Sequence, residues 1–205
     1  MKISKFKIFE SANFWNDIFT KINDGDIPKS ELDVNAINKI KKLIPKNSNV
    51  LDISVGDGTN AEYFINNNFN VFGTDISNVA INNLESKYPN HTWIIHDTLD
   101  KFPFKNNFFE LVFARLALHY FNNNEIEKIL IDIDRILKND GYLYILVKCS
   151  NVEKIDSNKI IHNKNVWIDI VSNIFNIVEK NEKSETTYDA NDKSILLEII
   201  CNKKN

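Results

Sequence analysis

The chain has 205 residues, of which 43% are hydrophobic and 26% charged, and its net charge at pH 7 is −3. This length allows one domain with a substantial core, and the charge argues against the phosphate backbone of a nucleic acid as the main partner. The two cysteines lie far apart and no Cys/His ligand spacing occurs, so we expect neither a disulfide scaffold nor a metal site. No segment reaches the roughly 18 apolar residues of a membrane span, which predicts a cytoplasmic protein without membrane contact.

The N-terminal 45 residues predict two helices ahead of any strand. Residues 11–22 place aromatic and aliphatic side chains at helical spacing, and residues 31–43 form a second helical pattern that Pro45 ends. The first helix carries Phe14 and Trp15, which we expect either to pack as ordinary core or to close over a ligand as a lid.

Residues 49–149 alternate between strand and helix patterns. Ser77 is the expected N-cap of the helix over 77–88. Gly141 stands where a C-cap glycine would end the helix over 124–139. Strands are predicted over 49–54, 70–75, 92–97, 109–115 and 142–149, and helices over 60–67, 77–88 and 124–139. Such alternation indicates a parallel sheet flanked by helices.

The C-terminal part changes pattern. A helix is predicted over 166–175, and two strands, 177–186 and 194–203, follow without a helix between them. We therefore expect an α/β, Rossmann-like, doubly wound sheet of seven mostly parallel strands, with an antiparallel C-terminal hairpin strand and N-terminal helices. The expected organisation is a single domain, in which residues 1–45 form a helical cap and residues 46–205 the core.

The stretch NVLDISVGDGTNAEYF, residues 49–64, is a strand, a glycine loop and the start of a helix. Gly56, Gly58 and Ala61 satisfy the pattern G-x-G-x-x-G/A of dinucleotide-binding proteins. However, Asp57 would place a carboxylate beside a pyrophosphate, about 48 residues precede the first strand, and no second domain remains for a hydride acceptor. An NAD(P)-binding oxidoreductase stays as an alternative.

A ligand with a carboxylate, a cationic amine and a ribose suits this loop better. The helix N-terminus favours the carboxylate, and Asp52 and Asp57 can attract ammonium and sulfonium charges. Asp75 ends the second strand and can accept both ribose hydroxyls, whereas Asp97 ends the third and can accept from an adenine amino group. These groups together describe S-adenosylmethionine.

The same residues resemble class I S-adenosylmethionine-dependent methyltransferases. VLDISVGDGTNAEYF resembles their first motif, VLDxGxGxG, VFGTDIS resembles their ribose-binding strand end, and HDTL resembles their adenine-binding turn. FPFKNNFFELVFARLALHYF is similar to their fourth-strand region, and DIDRILKNDGYLYI to their R-x-L-K-x-G-G segment. The resemblance implies that the cofactor-binding residues are Asp52, Ser54, Gly56, Asp57, Gly58, Asp75, Ile76, Asp97, Thr98 and Ala114.

Two positions depart from the family pattern. Ser54 replaces the first glycine, and its Cβ disfavours a positive φ, whereas Asn139-Asp140-Gly141 replaces a Pro-Gly-Gly-like turn. The sequence NFWNDIF near the N-terminus is similar to the thiopurine and tellurite-resistance branch, whose members methylate small molecules.

The resemblance implies methyl transfer to a small-molecule nucleophile by in-line displacement. Candidate catalytic residues follow the fourth strand: Arg115, His119 and Tyr120, of which His119 is the best candidate for a base and Arg115 could bind an acidic substrate or a local acid. The alternative from another class is a cofactor-binding or partner-binding subunit that has lost catalysis. We expect a monomer or a homodimer.

Overall fold

Seven β-strands form the sheet that organises the chain in the computed structural model, which describes residues 3–32, 34–151, 154–156, 159–184 and 195–204. The sheet is mostly parallel and ends in an antiparallel hairpin, so the predicted fold class is confirmed. The chain divides into two compact units, Met1–Asp100 and Lys101–Asn205. Within the described residues, no helix has both the length and the apolar character needed to cross a membrane.

The described residues of the first unit form four helices and three strands. They are α1 (Ile3–Asp24), α2 (Val34–Ile40), β1 (Asn49–Ile53), α3 (Thr59–Asn66), β2 (Asn70–Asp75), α4 (Asn78–Lys87) and β3 (Thr92–Ile95). The prediction of the first helix was too short, because it began at residue 11, and the second helix is shorter than predicted. The predicted cap of α4 is confirmed, since the Ser77 side chain accepts a hydrogen bond from the Ala80 amide.

The strands of the first unit pair in parallel in the order β3-β2-β1. Asn49 pairs with Asn70 and Ile53 with Thr74, so the carboxyl ends of β1 and β2 lie side by side. This register places the loop that follows β1 next to Asp75, the last residue of β2. The parallel pairing therefore brings two predicted cofactor loops to one edge.

The second unit carries the remaining strands in the order β4-β5-β9-β8. Its elements are β4 (Phe109–Arg115), a 3₁₀ turn (Leu118–Tyr120), α5 (Asn123–Ile136), β5 (Leu137–Cys149), β6 (Lys154–Asp156), β7 (Lys159–Ile161), α6 (Lys164–Ile174), β8 (Phe175–Ser184) and β9 (Ile195–Lys203). β4 and β5 are parallel, whereas β9 pairs antiparallel with both β5 and β8. The small hairpin β6–β7 had no counterpart in the sequence analysis.

The sequence pattern of helix α5 corresponds to a capped N-terminus and one buried apolar face. Asn122 and Glu125 form a reciprocal capping box at its start, and its apolar stripe is buried: Ile126, Ile129, Leu130, Ile133 and Ile136. The helix ends at Ile136 and the chain passes directly into β5, so the predicted C-cap role of Gly141 is wrong. Gly141 lies within β5, where a Cβ would stand 2.9 Å from Cγ of Leu137, so the side chain of Leu137 fills the space beside it.

Arg135 near the end of α5 holds the segment that precedes β4. Its Nη1 donates to the Phe104 carbonyl at 2.7 Å, its Nη2 to the Phe102 carbonyl at 2.9 Å, and its Nε to Asp132 at 2.6 Å. Asp132 in turn accepts from the Phe102 amide at 2.7 Å. The arginine of the R-x-L-K segment thus has a structural role, because its planar fork satisfies two carbonyls and a carboxylate together.

We expect Arg135→Ala to lower the free energy of unfolding by about 2–4 kcal/mol, because it removes the donor of two carbonyls and the cationic partner of a half-buried carboxylate. Arg135→Lys should recover only part of the loss, since an ammonium cannot serve all three acceptors. Urea denaturation measures both, with the exposed Lys128→Ala on the same helix as control. A loss for Arg135→Ala no larger than for the control would contradict this role.

Candidate cofactor-binding site

The glycine loop between β1 and α3 contains three residues with positive φ. Ser54 has φ 54°, Gly56 57° and Gly58 76°, so left-handed conformations recur at every second position. Gly58 is the N-cap of α3, and a Cβ there would collide with the Leu84 side chain of α4. Ser54 therefore holds a left-handed backbone that glycine adopts more easily, and it bears the steric cost of its Cβ there.

Asp75 fastens this loop to the end of β2. Its Oδ2 accepts a hydrogen bond from the Gly56 amide at 3.0 Å, and its Oδ1 accepts from the Ser77 amide at 2.9 Å. The side chain is buried, and burial raises the pKa of Asp75 above its ordinary value of 3.8 although the amides of Ser77, Gly56 and Ile76 oppose this change. The structure thus brings Gly56, Asp75 and the half-buried Ile76 together.

Asp97 follows β3 and has one satisfied and one unsatisfied carboxylate oxygen. Its Oδ1 accepts from the Leu99 amide at 2.9 Å, whereas its Oδ2 is buried and accepts no hydrogen bond from any described residue. The neighbouring Thr98 is also buried. A buried acceptor of this kind is costly unless a donor reaches it, so Oδ2 marks a position for an amino group.

Asp57 is engaged in a way that the sequence did not suggest. Its Oδ1 accepts from the Thr59 amide at 3.0 Å and its Oδ2 from the Ser30 amide at 2.6 Å, which links the α1–α2 connection to the glycine loop. Burial acts to raise the pKa of Asp57, but the hydrogen bonds from Ser30 and Thr59 outweigh it and lower the pKa below 3.8. Asp52 on β1 is buried with 2% exposure.

Helix α1 reaches the glycine loop through a row of aromatic rings. Phe14 meets Trp15 edge-on at 5.2 Å, Trp15 stacks with Phe19 at 5.9 Å, and the Phe19 ring lies 3.3 Å from where a Cβ on Gly56 would stand. Phe19 is buried, whereas Phe14 is 59% exposed. The N-terminal helix thus contacts the predicted cofactor loop, with Phe14 at the solvent end of the row.

Asn16 of the same helix accepts hydrogen bonds at the N-terminus of α4. Its Oδ1 accepts from the Ser77 hydroxyl at 2.6 Å and from the Val79 amide at 3.4 Å. Beside these contacts lies a cleft whose volume, with the open solvent at its mouth included, is about 420 Å³. The described residues that line it include neither Asp75 nor Asp97 and are Phe19, Asn23, Lys29, Gly56, Asp57, Ala80, Asn83, Leu84 and Lys87.

The candidate catalytic residues lie in the second unit, at and after the carboxyl end of β4. Ala114 is buried in the strand and Arg115 is its half-buried last residue. Leu116 then adopts φ 56°, an outlier for a bulky residue, while its amide donates to the Leu146 carbonyl at 2.7 Å. The strained residue Leu116 lies just before the turn that carries His119 and Tyr120.

The His119 and Tyr120 rings are neighbours, with centroids 4.2 Å apart and planes at 35°. Although Tyr120 exposes 45% of its surface, the burial of its remaining part raises the pKa of the phenol, so the hydroxyl stays protonated at neutral pH. The structure brings these two predicted residues together on one 3₁₀ turn.

Three residues of these sites were absent from the sequence analysis. Asn16 and Ser30 hold the cofactor loops, and His162 holds the 3₁₀ turn, because its Nε2 lies 2.8 Å from the Phe121 carbonyl. Each acts across 27 or more residues of sequence, so no local pattern marks it. Among the residues that the structure describes, no group of three or more His, Cys, Asp or Glu side chains could hold a metal ion.

Comparison with known proteins agrees with this geometry. Residues 51–145 match a family model described as a methyltransferase domain. The matched range begins within β1, ends within β5 and contains all ten predicted cofactor residues. No curated protein matches the sequence.

Solved structures with this fold include small-molecule enzymes. The 1,6-didemethyltoxoflavin-N1-methyltransferase of Burkholderia thailandensis, with its substrate and S-adenosylhomocysteine bound, is 14% identical with a TM-score of 0.74, covering 96% of this chain and 89% of that one. A TehB-like S-adenosylmethionine-dependent methyltransferase of Corynebacterium glutamicum is 15% identical with a TM-score of 0.67, covering 95% and 99%. The [4+2]-cyclase SpnF is 13% identical with a TM-score of 0.69, covering 82% and 80%.

We expect Asp57→Ala to lower the free energy of unfolding by about 1–3 kcal/mol at pH 7, because two amides lose a charged acceptor. The folded-state pKa is lowered, so this contribution is fully present above about pH 3.8 and disappears as the pH falls through the folded pKa. Urea denaturation of both proteins between pH 7 and pH 3 measures the difference, with the exposed Asp24→Ala as control. A difference that stays constant down to pH 3 would contradict the assignment.

Proposed function

We propose that this chain, whose residues 51–145 match a methyltransferase domain, transfers a methyl group from S-adenosylmethionine to a small-molecule nucleophile in the cytoplasm. The family match and the solved structures with this fold support a methyltransferase that uses S-adenosylmethionine as its cofactor. The small-molecule acceptor is the further step. It is supported by the absence of a basic surface run in the sequence and by the likeness to small-molecule enzymes over nearly the whole chain.

One observation carries the cofactor assignment: the Asp75 carboxylate ties the glycine loop to the end of β2. It therefore fixes the spacing between the loop that approaches the amino-acid part of the cofactor and the carboxylate that faces the ribose. The buried Oδ2 of Asp97 suits an adenine amino group, because that oxygen lacks a donor among the described residues. These carboxylate acceptors thus fit the ribose hydroxyls and the adenine amino group of S-adenosylmethionine.

Asp57 takes a revised place in the proposal. Its carboxylate joins the glycine loop to the Ser30 amide of the α1–α2 connection, so we assign it to holding the loop and leave attraction of the ammonium group to the buried Asp52. Ser54, Gly56 and Gly58 supply the left-handed backbone that lets the loop approach a ligand closely.

When bound, S-adenosylmethionine would supply a methyl group on a cationic sulfur, and a nucleophile would attack the methyl carbon in line with the departing thioether sulfur. The chain contributes alignment and exclusion of water, and alignment alone can lower a barrier by several kcal/mol. The aromatic row of α1 is our candidate for excluding water. His119, beside the protonated Tyr120, is our candidate for accepting a proton where the nucleophile arrives protonated.

A second candidate function is binding or other chemistry on the same fold. The likeness to the [4+2]-cyclase SpnF shows that this fold also occurs in a protein described by a different reaction. Formation of S-adenosylhomocysteine in the presence of thiol, amine and phenol acceptors distinguishes the two. Binding without turnover over the whole panel would favour the second.

We expect Asp75→Ala to weaken S-adenosylhomocysteine at least tenfold, because a charge-assisted contact to the ribose diol is worth roughly 1.5–3 kcal/mol. Calorimetry measures the dissociation constant, and thermal melts show that the variant is folded. The exposed Asp100→Ala is the matched control. An unchanged constant in a folded Asp75→Ala protein would leave Asp75 with only its loop-fastening role.

We expect Phe14→Ala to speed dissociation of S-adenosylhomocysteine at least fivefold while the melting temperature stays near wild type, because Phe14 is mostly exposed and ends the aromatic row over the loop. Stopped-flow displacement measures the rate without knowledge of the acceptor. The exposed Asn13→Ala on the same helix is the control. Equal rates in all three proteins would mean that the row is ordinary packing and not a lid.

A further inference from the structure

The chain contains only two arginines, Arg115 and Arg135, among 25 basic residues. Lysine serves every other basic position. An arginine differs from a lysine by its planar fork of five donors, which matches planar oxyanions and paired carbonyls. The two arginine positions therefore identify where this chain uses that fork.

Arg135 shows what a structural arginine looks like here. Its guanidinium makes five hydrogen bonds, to Asp132 through two atoms, to the Phe102 and Phe104 carbonyls and to Asn106. All of its nitrogens have acceptors within the folded chain. Its donor capacity is thus used by the protein itself.

Arg115 is the opposite case. It is half-buried at the carboxyl end of β4, its Nε is fully buried, and this Nε has no acceptor among the described residues. No ion pair joins it to a described acid either. The alternative of a bridge to a local acid is therefore absent from the part of the chain that the structure describes.

A buried cationic donor without a partner is costly, and it is kept where a ligand completes it. The backbone around Arg115 is fixed for such a purpose, since the Leu116 amide is bonded to β5 and Leu116 bears a strained φ. The His119–Tyr120 pair follows within five residues on the 3₁₀ turn, which His162 holds at Phe121. A preformed turn thus carries one free guanidinium and two polar aromatic rings.

We propose that Arg115 receives a carboxylate of the methyl acceptor, so that the substrate class is a small carboxylate-bearing nucleophile. This proposal rests on the proposed function. The carboxylate accepts from Nε and a terminal nitrogen of Arg115 in the side-on geometry that a planar anion favours. The nucleophilic atom lies on the same molecule and is placed by this anchor, so specificity comes from the distance between the two groups.

The two arginines make a direct test possible by nitrogen-15 NMR, because each gives one Nε–Hε cross-peak and Arg115→Lys identifies the Arg115 signal by its loss. Benzoate is titrated into the protein saturated with S-adenosylhomocysteine, with benzamide as neutral analogue, sodium chloride as ionic-strength control and inorganic phosphate as a tetrahedral anion. We expect a saturable shift of the Arg115 peak with benzoate, none with benzamide, and a static Arg135 peak.

Turnover gives the second readout. With acceptors offered as matched carboxylate and amide pairs, wild type should prefer the carboxylate by at least tenfold in kcat/KM. Arg115→Met should abolish this preference, Arg115→Lys should keep part of it, and the exposed Lys128→Met should keep all of it. Thermal melts confirm that the variants are folded.

The proposal is overturned if the Arg115 peak does not shift with benzoate, or shifts equally with benzamide or chloride. A saturable shift with phosphate alone would also overturn it, since the site would then take tetrahedral anions. Calorimetry with S-adenosylhomocysteine separates this outcome from failure of the proposed function. A protein that binds this product but no benzoate loses only the substrate class, whereas one that does not bind it loses the proposed function.

Discussion

The contact between the Asp75 carboxylate and the Gly56 amide is the constraint on which the first unit's site depends. It joins the loop after β1 to the loop after β2, and the Ser77 amide donates to the second carboxylate oxygen of Asp75. Because Ser77 also caps α4 and donates to Asn16, the same short segment fixes a strand end, a helix start and the N-terminal helix. A polar network whose members are all satisfied holds a single geometry.

The folded chain places this carboxylate at a cost. Burial raises the pKa of Asp75, which means that the fold by itself disfavours the charge that a ribose diol would use. Ser54 adds a second cost, since it holds a left-handed backbone with a Cβ present. Strain and desolvation at Ser54, Asp75 and Leu116 all fall on predicted site segments, as is common where structure is adapted to binding.

The two arginines of the second unit have different roles. The Arg135 guanidinium donates to carbonyls of the chain itself and so stabilises the segment that precedes β4. Arg115 ends that strand with an unused buried donor. Both belong to segments that resemble family motifs, yet one is structural and the other is available to a ligand. Motif membership therefore does not distinguish the two roles, whereas the hydrogen-bond partners do.

The sequence by itself predicted the fold class, which the structure confirms, and the place of Asp75 at the end of β2. It also predicted S-adenosylmethionine as the cofactor. Strands 70–75 and 109–115 were predicted to the residue, because apolar runs and polar turns are local signals that survive folding. The roles of Asn16, Ser30 and His162, the strand position of Gly141 and the β6–β7 hairpin were decided only by tertiary structure. The hairpin strands have only three residues each, too few to show a period. The other features depend on contacts between distant segments or on a direct helix-to-strand junction, and such contacts leave no periodic trace in the chain. The state of Arg115 belongs with them, since whether a donor finds a partner is settled only when every other segment is in place.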